Sequence, residues 1–368
     1  MCIKMHSLIT GLTGGRFNSL APLRRDCKRA IIRTIQFSCQ FSIRIVVLLL
    51  VFVLTGCSGS RRNEQLSETR LFLDTFCTIT IHGEVEQGLL DEAFEYLSEL
   101  EALLSFTAEG SDVRRINNAG GEPVVVDSRT VEVITTGLEF GELSGGLFDI
   151  TIGRLSSLWS INNADLSVPD DADIAEALAT VDYRQVIIDG NTVQLLNPDS
   201  RIDLGAVGKG YIADRIAEFL VSNGVSGALI NLGGDVVAVG SRIDGEPWRI
   251  ALRKPFGGVE EWLGVVEVEW LSVIGSGVYE RYFEIDEKKY HHILDPFTGK
   301  PADSDVVSAT VITEVAMIGE GLSTIAVLTG SEGLHELFEG IRGFVGAVIV
   351  LETGELIKYG NVELVATG

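Results

Sequence analysis

The 368-residue sequence predicts an α+β fold of mixed α/β sheets with packed helices, and three observations lead there. Segments with alternating, β-branched character are interspersed with segments of helical apolar spacing, but without the strict rhythm of a doubly wound βαβ sheet. Apolar residues make up 46% of the chain, enough for a sizeable core. There is no internal repeat, no low-complexity tract and no clean linker after Glu68, so one large domain is expected over residues 69–368.

The elements follow in order. Arg70–His82 (RLFLDTFCTITIH) alternates and reads as one strand. Gly88–Leu104 has the spacing of an amphipathic helix, and Ser111–Gly121 that of a short helix with a glycine stop. Ser128–Ser144 is a further helix, broken by Gly145-Gly146, and Phe148–Trp159 is a mixed segment leading into a polar loop. Asp170–Thr180 begins with acids that suit a helix N-terminus. Gln185–Ile188 and Thr192–Leu195 flank Asp189-Gly190-Asn191 as a hairpin. Lys209–Asn223 is a helix, and Val225–Leu232 a buried strand running into Gly233-Gly234. Trp248–Leu252, Val265–Glu269, Tyr282–Ile285, Val306–Ile312 and Ala347–Leu351 read as strands, and Glu314–Gly330 as a helix.

The N-terminus carries a different signal. Ile45–Leu54 is uninterrupted and apolar but shorter than the ~20 residues a spanning helix needs. Basic residues precede it, as in a secretory signal, and Leu54-Thr55-Gly56-Cys57 resembles a bacterial lipobox. Residues 1–56 are therefore expected to be an export segment, and 57–68 a lipidated Cys57 with a polar tether. An uncleaved membrane anchor is the competing reading. The lipobox reading implies the bacterial cell envelope, on the extracytoplasmic side of the inner membrane. Cleavage would leave only Cys57 and Cys77, so no intrachain disulfide could form.

Charge excludes one class of partner. Residues 1–56 hold eight Lys/Arg and one acid, leaving 21 basic against 51 acidic residues in the remainder. Phosphate contacts on such a body start against repulsion, so no nucleic-acid partner is expected.

Four segments could carry chemistry. Asp203-Leu-Gly-Ala-Val-Gly-Lys-Gly-Tyr211 is a glycine-rich turn feeding a helix, a geometry that presents N–H groups to an anion. It is neither a Walker A loop nor a GxGxxG turn, and alone it is more often structural. Asn231-Leu-Gly-Gly-Asp235 ends a buried strand, with a plain tight turn as the equal alternative. Ser276–Phe283 leads into His291-His-Ile-Leu-Asp-Pro-Phe-Thr-Gly-Lys-Pro301, where two of the chain's five His are adjacent. On a strand they would face opposite sides, so at most one enters a site. In Ala316–Thr324, Glu320 and Thr324 are four apart and share a helix face. Such an oxygen pair suits Mg²⁺, although Glu and Thr at this spacing are common.

In order, LDTFCTITIHG, GSDVRRINNAGG, ELSGGLFDITIGRLSSLW, DLGAVGKGYIAD, ALINLGGDVVAVG, SGVYERYFE, HHILDPFTGKP and AMIGEGLSTIAVLTG resemble the ApbE family of FAD:protein FMN transferases. The likeness runs from about Thr69 to Leu337. It implies an ApbE-like single catalytic domain that uses FAD as substrate with Mg²⁺, attaches FMN to a Thr hydroxyl of an acceptor, and releases AMP. The implied acceptors are flavoprotein subunits of membrane redox complexes. Matched residue by residue, the implied metal ligands are Ala206 (through its carbonyl), Glu320 and Thr324, with Ser323 a further oxygen in some members. Glu320 stands where the family usually has Asp. Asp203, Lys209, Leu294 and Leu158-Trp159-Ser160 match flavin-nucleotide contacts. Leu73 stands where Met is frequent and Thr107 where Tyr is, so ring stacking at 107 is lost. His292 is the candidate for deprotonating the incoming Thr, with Asp295 orienting it or acting instead. Two other readings use the same residues: a Mg²⁺-dependent FAD pyrophosphatase giving FMN and AMP, and a non-catalytic FAD-binding lipoprotein. A generic structural lipoprotein would leave the HHILDP and GGD motifs unexplained.

Overall fold

The computed structural model describes residues 65–83, 85–161, 167–258 and 260–366. The expected export segment 1–56 and lipidated Cys57 lie outside the described residues. The chain enters on β1 (Gln65–Phe72), paired antiparallel with β2 (Thr75–His82). This corrects two expectations. The single strand Arg70–His82 is a hairpin, and the last four residues of the expected tether 57–68 belong to β1. The turn is Leu73-Asp74, with φ of 54° and 55°. Two-residue hairpins need positive φ at both central positions. The usual Asn-Gly signal is missing here, which is why the turn was not legible.

The helix α1 (Gln87–Leu104) buries Leu90, Phe94, Leu97 and Leu100, which recur at the three- and four-residue spacing of one helix face. Ser111 caps α2 (Asp112–Asn117) by accepting from the Arg114 N–H, and Asp127 caps α3 (Ser128–Leu143) through Arg129. A two-residue strand, β3 (Val124–Val125), joins β5 (Thr192–Leu195) and β4 (Val186–Asp189) in a small sheet of order β3-β5-β4. Between them lie α4 (Gly153–Trp159) and α5 (Asp171–Leu178).

The second half builds the main sheet. After α6 (Gly208–Ser222) come β6 (Gly227–Leu232) and β7 (Asp235–Gly240). A hairpin of β8 (Trp248–Arg253) and β9 (Trp262–Val268) follows, then β10 (Ser272–Gly277). A second small hairpin is β11 (Tyr282–Ile285) with β12 (Lys288–His291). The chain continues through β13 (Val306–Thr313), α7 (Ala316–Thr329), α8 (Leu334–Phe338), β14 (Phe344–Leu351) and β15 (Leu356–Gly360). The eight-stranded sheet has the order β1-β2-β6-β7-β10-β13-β14-β15. Its core includes Ile79, Ile230, Ile274 and Val311 together with the apolar faces of α1, α6 and α7. A smaller cluster of Leu155, Trp159, Ile174, Ala177, Phe283 and Leu294 sits under the β11–β12 hairpin.

Strands β3, β7, β10, β12 and β15 and helix α8 were not read from the sequence. β7 is buried along its whole length and β10 over most of it. Neither shows the polar alternation that marks a half-exposed strand. Helix α7 starts at Ala316, not Glu314, because the Glu314 N–H donates to the Gly343 carbonyl at 2.9 Å.

Candidate active site

Helices α6 and α7 meet through their N-terminal turns, and neither has a cap of its own: Val207 and Val315 precede them and contribute no side-chain bond. Each is capped by the other. Asp214 on α6 accepts from the Ala316 and Met317 N–H groups at 2.8 and 2.9 Å. Glu320 on α7 accepts from the Gly210 N–H at 2.7 Å. Carboxylates favour helix N-termini because they meet unpaired N–H groups and the positive end of the dipole. The approach demands glycine at 210, where a Cβ would lie 2.6 Å from the Ala316 carbonyl oxygen. Burial raises the Asp214 pKa to about 6, against the pull of the two amides.

At this junction the Lys209 ammonium lies 2.6 Å from Glu320 Oε1 and 2.6 Å from Asp235 Oδ2. Glu320 and Asp235 are 3% and 7% exposed, whereas Lys209 keeps 26% of its side chain open. Asp235 opens β7 after the Gly233-Gly234 turn and uses its other oxygen on the Gly275 N–H of β10. Burial works against the Lys209 charge, but the two carboxylates outweigh it and hold the pKa above the ordinary range. Glu320 is pushed upward by burial, with Lys209 opposing. Beside it, Ser276 on β10 reaches the hydroxyls of Ser323 at 2.8 Å and Thr324 at 3.2 Å.

Among the described residues, no cluster of three or more His, Cys, Asp or Glu side chains is arranged around a metal position. A divalent cation here would need hydroxyl and carbonyl oxygens beside one carboxylate. The junction offers that set. Glu320 and Thr324 lie on one face of α7, and half-buried Ala206 stands in the turn ahead of α6. The Gly210 N–H, which would otherwise point back at the Ala206 carbonyl (i−4), goes to Glu320. Oxygen-only donors fit Mg²⁺.

The second region is the loop after β12, near enough for the Lys209 charge to act on His292. β12 ends at His291, so His292 already lies beyond the strand, and the two rings go to different partners. His291 is buried, with Nε2 at 3.1 Å from the Ala302 carbonyl, whereas His292 is half-buried, with Nδ1 3.3 Å from the Arg281 carbonyl. Burial, then the Arg281 charge, lowers the His292 pKa to about 4, so the ring is neutral near pH 7. Asp295 does not orient it. Its oxygens accept from the Phe297 N–H at 2.7 Å and the Thr298 hydroxyl at 3.1 Å, closing its own turn.

The remaining expected contacts are dispersed around this centre. The Leu73 N–H donates to Glu101 at 2.6 Å, and Thr107 is exposed with its carbonyl bound to Arg114. Trp159 is buried, its indole N–H on the Gly299 carbonyl at 2.7 Å and its ring stacked 5.8 Å from Tyr290. Leu294 is buried in the same small cluster, while Leu158 and Ser160 are half-buried at the end of α4. Asp203 is half-buried and accepts from the Gly205 N–H at 2.9 Å, a bond local to its own turn. Three participants were missed as site residues: Asp235, Asp214 and Ser276. The NLGGD motif pointed at Asp235, but nothing local links Asp214 or Ser276 to α7.

The chain is similar to a set of known proteins. The sequence model of the ApbE family matches residues 73–349. An FAD:protein FMN transferase of Treponema pallidum is 34% identical over 310 residues, covering 78% of this chain and 86% of that protein. One from Klebsiella pneumoniae is 38% identical over 276 residues, covering 74% and 85%. Among solved structures, the ApbE protein of Thermotoga maritima superposes with a TM-score of 0.74 at 32% identity, covering 80% of this chain and 97% of that one. The flavin transferase ApbE of Vibrio cholerae gives 0.72 at 27% identity, covering 80% and 96%.

Proposed function

The chain belongs to the ApbE family, and from that premise we propose that it is a Mg²⁺-dependent enzyme that transfers FMN from FAD to a Thr hydroxyl of an acceptor flavoprotein, releasing AMP. The observation that carries the reading is the α6–α7 junction, where Glu320, Thr324 and Ala206 supply oxygens beside the Lys209 ammonium. Bound there, Mg²⁺ would supply neutralisation of pyrophosphate charge. The protein's own groups do the rest. Lys209 keeps its ammonium between Asp235 and Glu320 beside the metal position, and the Ser276 hydroxyl, itself paired with Ser323, holds Thr324 in place. If Nδ1 of His292 carries its hydrogen toward the Arg281 carbonyl, Nε2 is left unprotonated and able to take the proton of the incoming Thr. The acceptor oxygen bonds to the FMN-side phosphorus, the bond to the AMP oxygen breaks, and AMP leaves.

The acceptors proposed are flavin-carrying subunits of membrane redox complexes. We also propose export and lipid anchoring through Cys57, on the extracytoplasmic face of the bacterial inner membrane, from the lipobox-like LTGC. The test is intact mass spectrometry of an acceptor domain incubated with the protein, FAD and Mg²⁺. A gain of one FMN, lost on chelation, supports the transferase. Free FMN and AMP with an unmodified acceptor replaces it with a pyrophosphatase. Unchanged FAD leaves a binding protein.

A further inference from the structure

Lys209 sits between two carboxylates that are anchored on different parts of the fold. Asp235 is fixed to the sheet through the Gly275 N–H, and Glu320 to the helix junction through the Gly210 N–H. The ammonium is at 2.6 Å from each. Both acids are nearly closed to solvent, so their charges are weakly screened. One cation against two anions leaves the cluster one negative charge in surplus. A lysine has three donors on a flexible four-carbon stem and can lean toward either partner without moving its backbone.

We propose that Lys209 is a resident counter-cation that a divalent metal displaces from Glu320, and that Asp235 is the site that retains it when it leans away. This rests on the metal-dependent reading above. With the metal at Glu320, an ammonium on the same carboxylate would repel it; paired with Asp235 alone, Lys209 forms a neutral couple and gives up Glu320. Asp235 is thus a positioning residue that acts on the metal carboxylate through Lys209.

The arrangement predicts opposite signs for two neighbours in one cluster. Asp235→Asn leaves Lys209 with only Glu320 to neutralise it, so metal binding should weaken, about tenfold, as for other groups that act on a ligand indirectly. Lys209→Met, with Lys209→Gln as a second variant in case the first misfolds, leaves two unpaired buried carboxylates, so binding should tighten. The measurement is Mn²⁺ binding to the full chain by electron paramagnetic resonance, without FAD, with Mg²⁺ as competitor and circular dichroism to confirm folding. Weakening in the first and tightening in the second supports the exchange. Shifts in the same direction, or no shift, overturn it while leaving the metal site standing. A wild-type chain that binds neither ion, with or without FAD, removes both the exchange and the metal reading.

Discussion

On the helix wall of the site, Lys209, Asp235 and Glu320 come from three elements, the lysine and glutamate 111 residues apart, and two buried carboxylates share one partly open ammonium. On the turn wall, His292 and Asp295 belong to one loop, rest on local carbonyls and amides, and remain half-buried. The contrast separates two ways of placing a functional group. A buried charge cluster makes stability and chemistry one property, because removing any member strands its partners. A loop closed by its own turn bonds lets chemistry be removed while the fold stays.

The sharpest way to break that comparison is at Glu320. Glu320→Gln should lower transfer by at least about 100-fold and cost about 3 kcal/mol of stability through the broken buried pair. Transfer assays and thermal melts check both. A variant that lost activity at unchanged melting temperature would sever the link between the two properties. Gly210→Ala comes next. Its new methyl would meet the Ala316 carbonyl at 2.6 Å, so α6 and α7 must part, at about 1–3 kcal/mol, with weaker metal binding.

On the turn wall, His292→Ala should slow transfer about 100-fold, with a melting temperature close to wild type. The pH profile sharpens this further. A histidine held at about 4 is neutral across pH 6–8, so its contribution should be flat there and lost only as pH falls through about 4. A loss centred near 6.5 would show that another group, or a relaxed His292, takes the proton. Smallest is Asp295→Ala, which removes turn bonds worth about 1 kcal/mol and should leave transfer within severalfold of wild type. A drop matching His292→Ala would make Asp295 a participant.

The same divide governed what the sequence disclosed. The turn-wall motif could be read in part: Asp-Pro-Phe-Thr-Gly announces a turn, and the structure closes it on Asp295, whereas the expected strand ends at His291. The Glu320 and Thr324 pairing on one helix face also followed from spacing alone. What could not be read was which distant groups meet them. Asp214 looks like an ordinary polar residue of an amphipathic helix, and only tertiary packing aims it at the Ala316 and Met317 amides. Ser276 opens one of the segments singled out above, but its partners Ser323 and Thr324 lie 47 and 48 residues on and meet it only in the fold. In the fold, the amphipathic helices were legible, whereas the wholly buried β7 and the Leu73-Asp74 hairpin turn lacked the alternation and the glycine that mark their kind.

The exchange of caps between α6 and α7 also bears on how the protein reaches its folded form. The two helix starts are sealed by carboxylates 102 and 110 residues away. Neither helix can settle its first turn until the other has docked, so this junction is a long-range contact that pays its loop-closure entropy before it gains any bonds. Asp235 reaches the same junction from β7, held by the Gly275 N–H of β10. A fragment that lacks either helix lacks the carboxylate that seals the other, so the candidate site is complete only in a chain that holds both.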